Sequence, residues 1–159
     1  MKFGKLLDIS QVDFALPEDH PDTLRILGDC GPAAQPRAYL GATGWGNREW
    51  VGEWYPTRTK QADYLIPYAK QFGTLEFNST HYRIPNLGQV EKWYANAASD
   101  FLFCPKVPQV ISHYQRLQGA PDATEEFLHN IRAFKEKLGP VFMQMPDNYG
   151  PEQGPHFKR

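Results

Sequence analysis

From Ala38 onward the chain repeats one order of business: a short apolar run, a polar turn, then apolar residues at helical spacing. That order leaves few folds open, because strands separated by helices must lie parallel, with the helices covering the sheet. The pattern predicts strands at Ala38–Thr43, Thr74–Asn78, Phe101–Val107 and Val141–Met145. It predicts a helix through Tyr64, Leu65, Tyr68, Ala69 and Phe72, with Pro67 kinking it or marking its start. A second helix follows Asn86, a good N-cap, through Val90, Trp93, Tyr94 and Ala97. A third carries the stripe Phe127, Ile131, Phe134 and Leu138, opens near Asp122 and Glu125, and is stopped by Gly139-Pro140.

Residues 1–36 show no sustained period and read as an irregular leader, residues 37–146 as the β/α domain, and residues 147–159 as a flexible polar tail. With 41% hydrophobic and 14% aromatic residues in 159, one well-packed domain is expected. A formal net charge of -1 and no long Lys/Arg cluster argue against a general nucleic-acid binder. The start, Met1-Lys2-Phe3-Gly4, leads into no apolar signal core and no uncharged run is long enough to span a bilayer, so a cytoplasmic protein without membrane contact is the default expectation. Cys30 and Cys104 are read as reduced thiols, Cys104 as part of the core.

In parallel β/α folds the functional face lies at the carboxyl ends of the strands, where the βα loops converge. Alternation along Thr74–Asn78 sends Leu75 and Phe77 one way and Glu76 and Asn78 the other. On the neighbouring strands Leu102, Cys104 and Lys106 share a face, as do Phe142 and Gln144, so each strand delivers a polar group near its end. If the two strands pair, Glu76 and Lys106 form a carboxylate–ammonium contact, either an acid/base pair or a structural ion pair at even odds. His113 follows Ile111-Ser112 in a loop, as a general base, a ligand or a plain surface residue; His81, His20, His129 and His156 are weaker candidates.

Trp45, Trp54 and Tyr55 either wall a pocket for a ring or sugar or pack as core. No HExxH or CxxC supports a metal site, and a set of Glu76, His113 and Asn78 would serve one only if folding gathered them. Gly41-Ala42-Thr43-Gly44 fits neither a P-loop nor a dinucleotide fingerprint, so no cofactor is expected.

These stretches resemble a known family. Gly41–Trp45, Trp54–Pro56, Tyr68-Ala69 with Phe72, Leu75–Tyr82, Lys106–Pro108 with Ile111–His113, and Leu138–Pro140 with Gln144–Pro146 occur in the order seen in the YecE-like family of unknown function, DUF72. The resemblance runs from about Tyr39 to Pro146 and implies a TIM-type β/α barrel, of which about four βα units, the N-terminal half, are present. It implies pocket residues at Trp45, Glu76, Asn78, Tyr82, Lys106, His113 and Gln144. The family's further strands are absent, so a truncated product is the simplest expectation, with strand edges open to self-association.

Three functional classes follow. The first is an enzyme acting on a small polar or anionic substrate, with Glu76 and His113 as acid/base groups, Lys106 as electrophile or anion binder, and Trp45, Asn78, Tyr82 and Gln144 binding substrate. The second is a non-catalytic ligand-binding or adaptor barrel, and the third, resting on fold analogy, a metal-assisted nuclease or isomerase-like barrel.

Overall fold

The computed structural model describes residues 10, 13, 15, 18–31 and 37–157. It divides into two compact units, Met1–Arg37 and Ala38–Arg159. The expectation for the opening residues Met1–Gly4 and the reading of the Cys30 thiol lie outside what is described.

In the first unit, the stretch expected to be irregular contains a helix, α1 (Pro21–Cys30). Pro21 sits at its first position, where a missing N–H costs nothing, and His20 Nδ1 accepts the Asp22 N–H. The apolar positions of α1 are too short a series to reveal a helical period against the surrounding Pro and Asp.

The second unit carries three parallel strands in the order β1 (Gly41–Ala42), β2 (Thr74–Phe77) and β3 (Leu102–Pro105). Between β1 and β2 runs α2 (Leu65–Gln71), whose Pro67 falls in the first turn and leaves no bond to break. After β2 come a single turn, α3 (Ser79–Tyr82), and then α4 (Leu87–Asn96), capped as expected by Asn86, whose Oδ1 accepts the Gln89 N–H at 2.9 Å. The last long helix, α5 (Pro121–Ile131), passes into a 3-10 segment, Arg132–Lys137.

The parallel sheet expected from the pattern is therefore present, while of the half barrel of about four βα units that the resemblance implies the described residues show only an open sheet of three strands. The fourth expected strand shrinks to an isolated bridge, Lys106 with Phe142, held by Val107 N–H to Phe142 O at 2.9 Å and Phe142 N–H to Pro105 O at 3.1 Å. The ladder does not extend beyond that one residue, and Met143, which follows it, is 37% exposed. The tail expected to be flexible holds two helical turns, Pro151–Gln153 and α6 (Gly154–Phe157). Arg116 donates to Asn148 Oδ1, Asn148 O and Gln153 Oε1 and so binds this segment to the domain.

The core lies between sheet and helices. Register pairs Leu75 with Phe103 and Phe77 with Pro105 on the helix side, and Glu76 with Cys104 on the other. Leu75, Phe77 and Phe103 are buried, Phe103 stacking on Phe134 with ring centroids 4.1 Å apart. Tyr68 Oη accepts the Ala42 N–H at 2.7 Å and donates to Thr74 O at 3.0 Å, bridging β1 and β2 from beneath.

Candidate functional site

The carboxyl ends of β2 and β3 are locked together by the turn that follows β2. Thr80 is buried; its Oγ1 accepts the Lys106 N–H at 3.0 Å and lies 2.8 Å from Phe77 O and 2.7 Å from Lys106 O, donating its one proton between them. His81, beside it and 8% exposed, places Nδ1 2.9 Å from Val107 O. A carbonyl only accepts, so Nδ1 carries a proton and donates it to Val107 O.

His113 meets His81 edge to face, with ring centroids 4.9 Å apart. It stands not on an open loop but on a π-helical turn, Val110–Tyr114. Its Nδ1 lies 2.9 Å from Ser112 Oγ, which lies 3.2 Å from Pro108 O. Both contacts are hydrogen bonds only if His113 Nδ1–H donates to the hydroxyl and the hydroxyl to the carbonyl. His113 therefore presents a bare Nε2. Burial lowers its pKa from the ordinary 6.5; the nearby His81 and Lys106 push the same way, and Asp147 opposes them. At neutral pH the ring is an uncharged proton acceptor.

Lys106 does not pair with Glu76. Its Nζ donates to Gln144 Oε1 at 2.7 Å and sits 5.7 Å from the Phe142 ring centre. Glu76 is exposed on the helix-free face and accepts from Asn78 Nδ2 at 3.0 Å. Among the described residues every ion pair lies in α1 or between it and its N-cap, His20. The expected contact fails because the position beside Glu76 in β3 is Cys104, and Lys106 lies one full pleat further on. Glu76, Cys104, Gly41, Thr74 and Phe142 line a shallow cavity of about 410 Å³ on this face.

Of the remaining expected residues, Tyr82 is 72% exposed and touches His81, ring centroids 5.3 Å apart. Trp45 does not join them. Its ring packs on the helix side against Phe77 at 5.0 Å and Trp93 at 5.8 Å. The structure thus gathers Lys106, Gln144 and His113 near His81 and Tyr82, keeps Glu76 and Asn78 as a separate pair, and packs Trp45, half-buried, against the helix side of the core. Among the described residues no group of three His, Cys, Asp or Glu side chains is arranged to hold a metal ion.

Sequence reasoning ranked His81 only among the weaker candidates and did not single out Thr80 or Ser112 as site residues. The signal for the first two was the βα connection itself: they fall within three residues of Asn78, at the strand end already singled out.

Comparison with known proteins agrees with the fold and extends the sequence resemblance. The chain is 31% identical over 122 residues to the UPF0759 protein YecE of Escherichia coli strain K12, a match covering 75% of this chain and 42% of the relative, and equally to that of Escherichia coli O157:H7. Two crystal structures of a DUF72 family protein from Enterococcus faecalis V583 superpose with TM-scores of 0.56 and 0.59 at 21% identity, covering 76% of this chain and 45% and 44% of that protein. The chain spans less than half the length of these relatives. The model for "Protein of unknown function DUF72" matches residues 39–159, and with that match over the whole second unit but its first residue the chain belongs to the DUF72 family.

Proposed function

We propose that the carboxyl ends of β2 and β3 form an acid–base site for a small anionic substrate, with His113 Nε2 as proton acceptor and the Lys106 ammonium as the anion's counter-charge. The observation that carries this reading is the His81–His113 pair, two imidazoles in edge-to-face contact whose Nδ1 atoms are both engaged by the protein. Fixing Nδ1 in this way orients a histidine and leaves the other nitrogen for chemistry. The depressed pKa keeps that nitrogen unprotonated at neutral pH. Lys106, held by Gln144, has no carboxylate within ion-pair distance among the described residues, and its charge suits one from a ligand. Tyr82 and Gln144 would contact the same ligand, while Glu76 with Asn78 would sit at its edge.

The test is untargeted mass spectrometry of molecules released from the purified chain and from Lys106→Ala and His113→Gln. The expected result is a carboxylate- or phosphate-bearing metabolite that copurifies with the parent chain, is lost with Lys106→Ala, and is retained unconverted by His113→Gln. A ligand held equally by the parent and by Lys106→Ala would contradict the reading. A ligand that neither the parent nor His113→Gln converts would favour the non-catalytic binding barrel.

A further inference from the structure

The helix side of the sheet carries a second concavity that the site above does not use. A cleft of about 330 Å³ opens between Trp45, Gln61, Lys92 and Asn96, and a smaller one of about 170 Å³ adjoins it beside Ser79 and Arg83. Gln89 and Trp93 line both, so the two make one groove. Its long wall is α4, on which Gln89, Lys92, Trp93 and Asn96 recur at the i, i+3, i+4, i+7 spacing that aligns side chains on one helix face. The groove lies on the opposite side of β2 from Glu76, since Trp45 and Trp93 both pack on Phe77.

A polar helix face beside solvent is ordinary, but three features set this one apart. Two indoles wall it, with ring centroids 5.8 Å apart in an edge arrangement, offering apolar ring surface in a concave setting. The side-chain amides of Gln61, Gln89 and Asn96 make no hydrogen bond among the described residues, so donors and acceptors stand ready along its length. Arg83 and Lys92, one in each part, have no carboxylate within ion-pair distance among the described residues, as holds for the other cations of the second unit, and here they stand beside the indoles and the amides. Ring surface, amides for hydroxyls, and unpaired cations that suit a phosphate together define a ligand class.

We propose that this groove binds a phosphorylated monosaccharide, the sugar ring lying against the Trp45–Trp93 wall, its hydroxyls meeting Gln89 and neighbouring amides, and its phosphate held by Arg83 or Lys92. Neither His81 nor His113 lines the groove, although Thr80 borders its smaller part, and the proposal does not depend on the function assigned to that pair.

The probe is glucose 6-phosphate, titrated into the purified chain while the indole N–H resonances of Trp45 and Trp93 are followed by NMR, with glucose and inorganic phosphate as comparisons. The expected result is saturable shifts with a dissociation constant below about 1 mM, at least about tenfold tighter than for either comparison compound. The double variant Arg83→Ala/Lys92→Ala, at exposed positions outside the core, should weaken binding by at least about tenfold with its spectrum otherwise unchanged, and His113→Gln should leave it intact. Binding no tighter than that of phosphate alone, equal binding by the double variant, or loss of the shifts in His113→Gln would overturn the proposal.

Discussion

Thr80 shows how one hydroxyl can decide the geometry of a site. Its Oγ1 closes on the Lys106 N–H and on the carbonyls of Phe77 and Lys106, so a side chain reinforces the one backbone bond, Lys106 N–H to Phe77 O at 3.3 Å, that joins the strand ends there. Thr80→Val keeps the shape and removes these bonds, so that Lys106 O loses the hydroxyl that donates to it and the long backbone bond stands alone. Denaturant unfolding should show a loss of about 1–3 kcal/mol, together with movement of the His81 and Lys106 resonances; a change within a few tenths of that of the parent would mean the joint is not held there. Alternation along β2 was enough to single out Glu76 and Asn78, because period two holds up to Phe77. It says nothing of Thr80 and His81, since the backbone turns helical at Asn78 and the period ends with it. The Glu76–Lys106 contact was misjudged for a different reason: adjacency of strands can be read from a pattern, whereas register depends on where each strand begins.

Among the elements, the helices were the most legible. The stripe Phe127, Ile131 and Phe134 is buried as its spacing requires, even though the backbone changes to a 3-10 segment after Ile131 and Lys135 adopts a positive φ of 51°. That change was hidden because the apolar pattern alone does not distinguish one tight helical turn from another. It has a consequence at Lys137, which turns inward and donates to Tyr94 O and Ala97 O, each at 2.8 Å, satisfying the last carbonyls of α4 with a cation where the helix dipole favours one. The strands came out shorter than expected. In β1 the two-residue strand depends on glycine: a Cβ on Gly41 would press into the Thr74 carbonyl of the paired strand. Gly41→Ala should therefore destabilise the domain by about 1–3 kcal/mol, read as a lower midpoint of thermal unfolding. An unchanged midpoint would show that β1 can move away from β2 without cost.

At the scale of the second unit, its own helices cover one side of the sheet and not the other. Glu76 and the 410 Å³ cavity sit on that bare face. A cleft of about 730 Å³ opens among Ile111, Phe127, Leu128 and Met143, with Val141 and Met143 among its exposed residues. Thr124, Glu125, His129 and Arg132 also line it. Apolar surface of this extent suits a further packed layer. The pattern of strands and helices could announce a parallel β/α arrangement, but not its closure, because closure depends on pairing between strands far apart in the chain.

The acid–base site rests on the charge state of His113, which is tied to stability. Its folded pKa lies below the unfolded 6.5, so the folded chain binds fewer protons in the interval between them. The stability this contributes is fully present above 6.5 and is lost as the pH falls through that interval. The most direct measurement is a nitrogen NMR titration of the imidazoles in the isotopically labelled chain and in His81→Gln. The account predicts that His113 carries its proton on Nδ1 at neutral pH, titrates below 6.5, and titrates higher once His81 is replaced. A proton on Nε2, or an ordinary titration that ignores the His81 substitution, would contradict it.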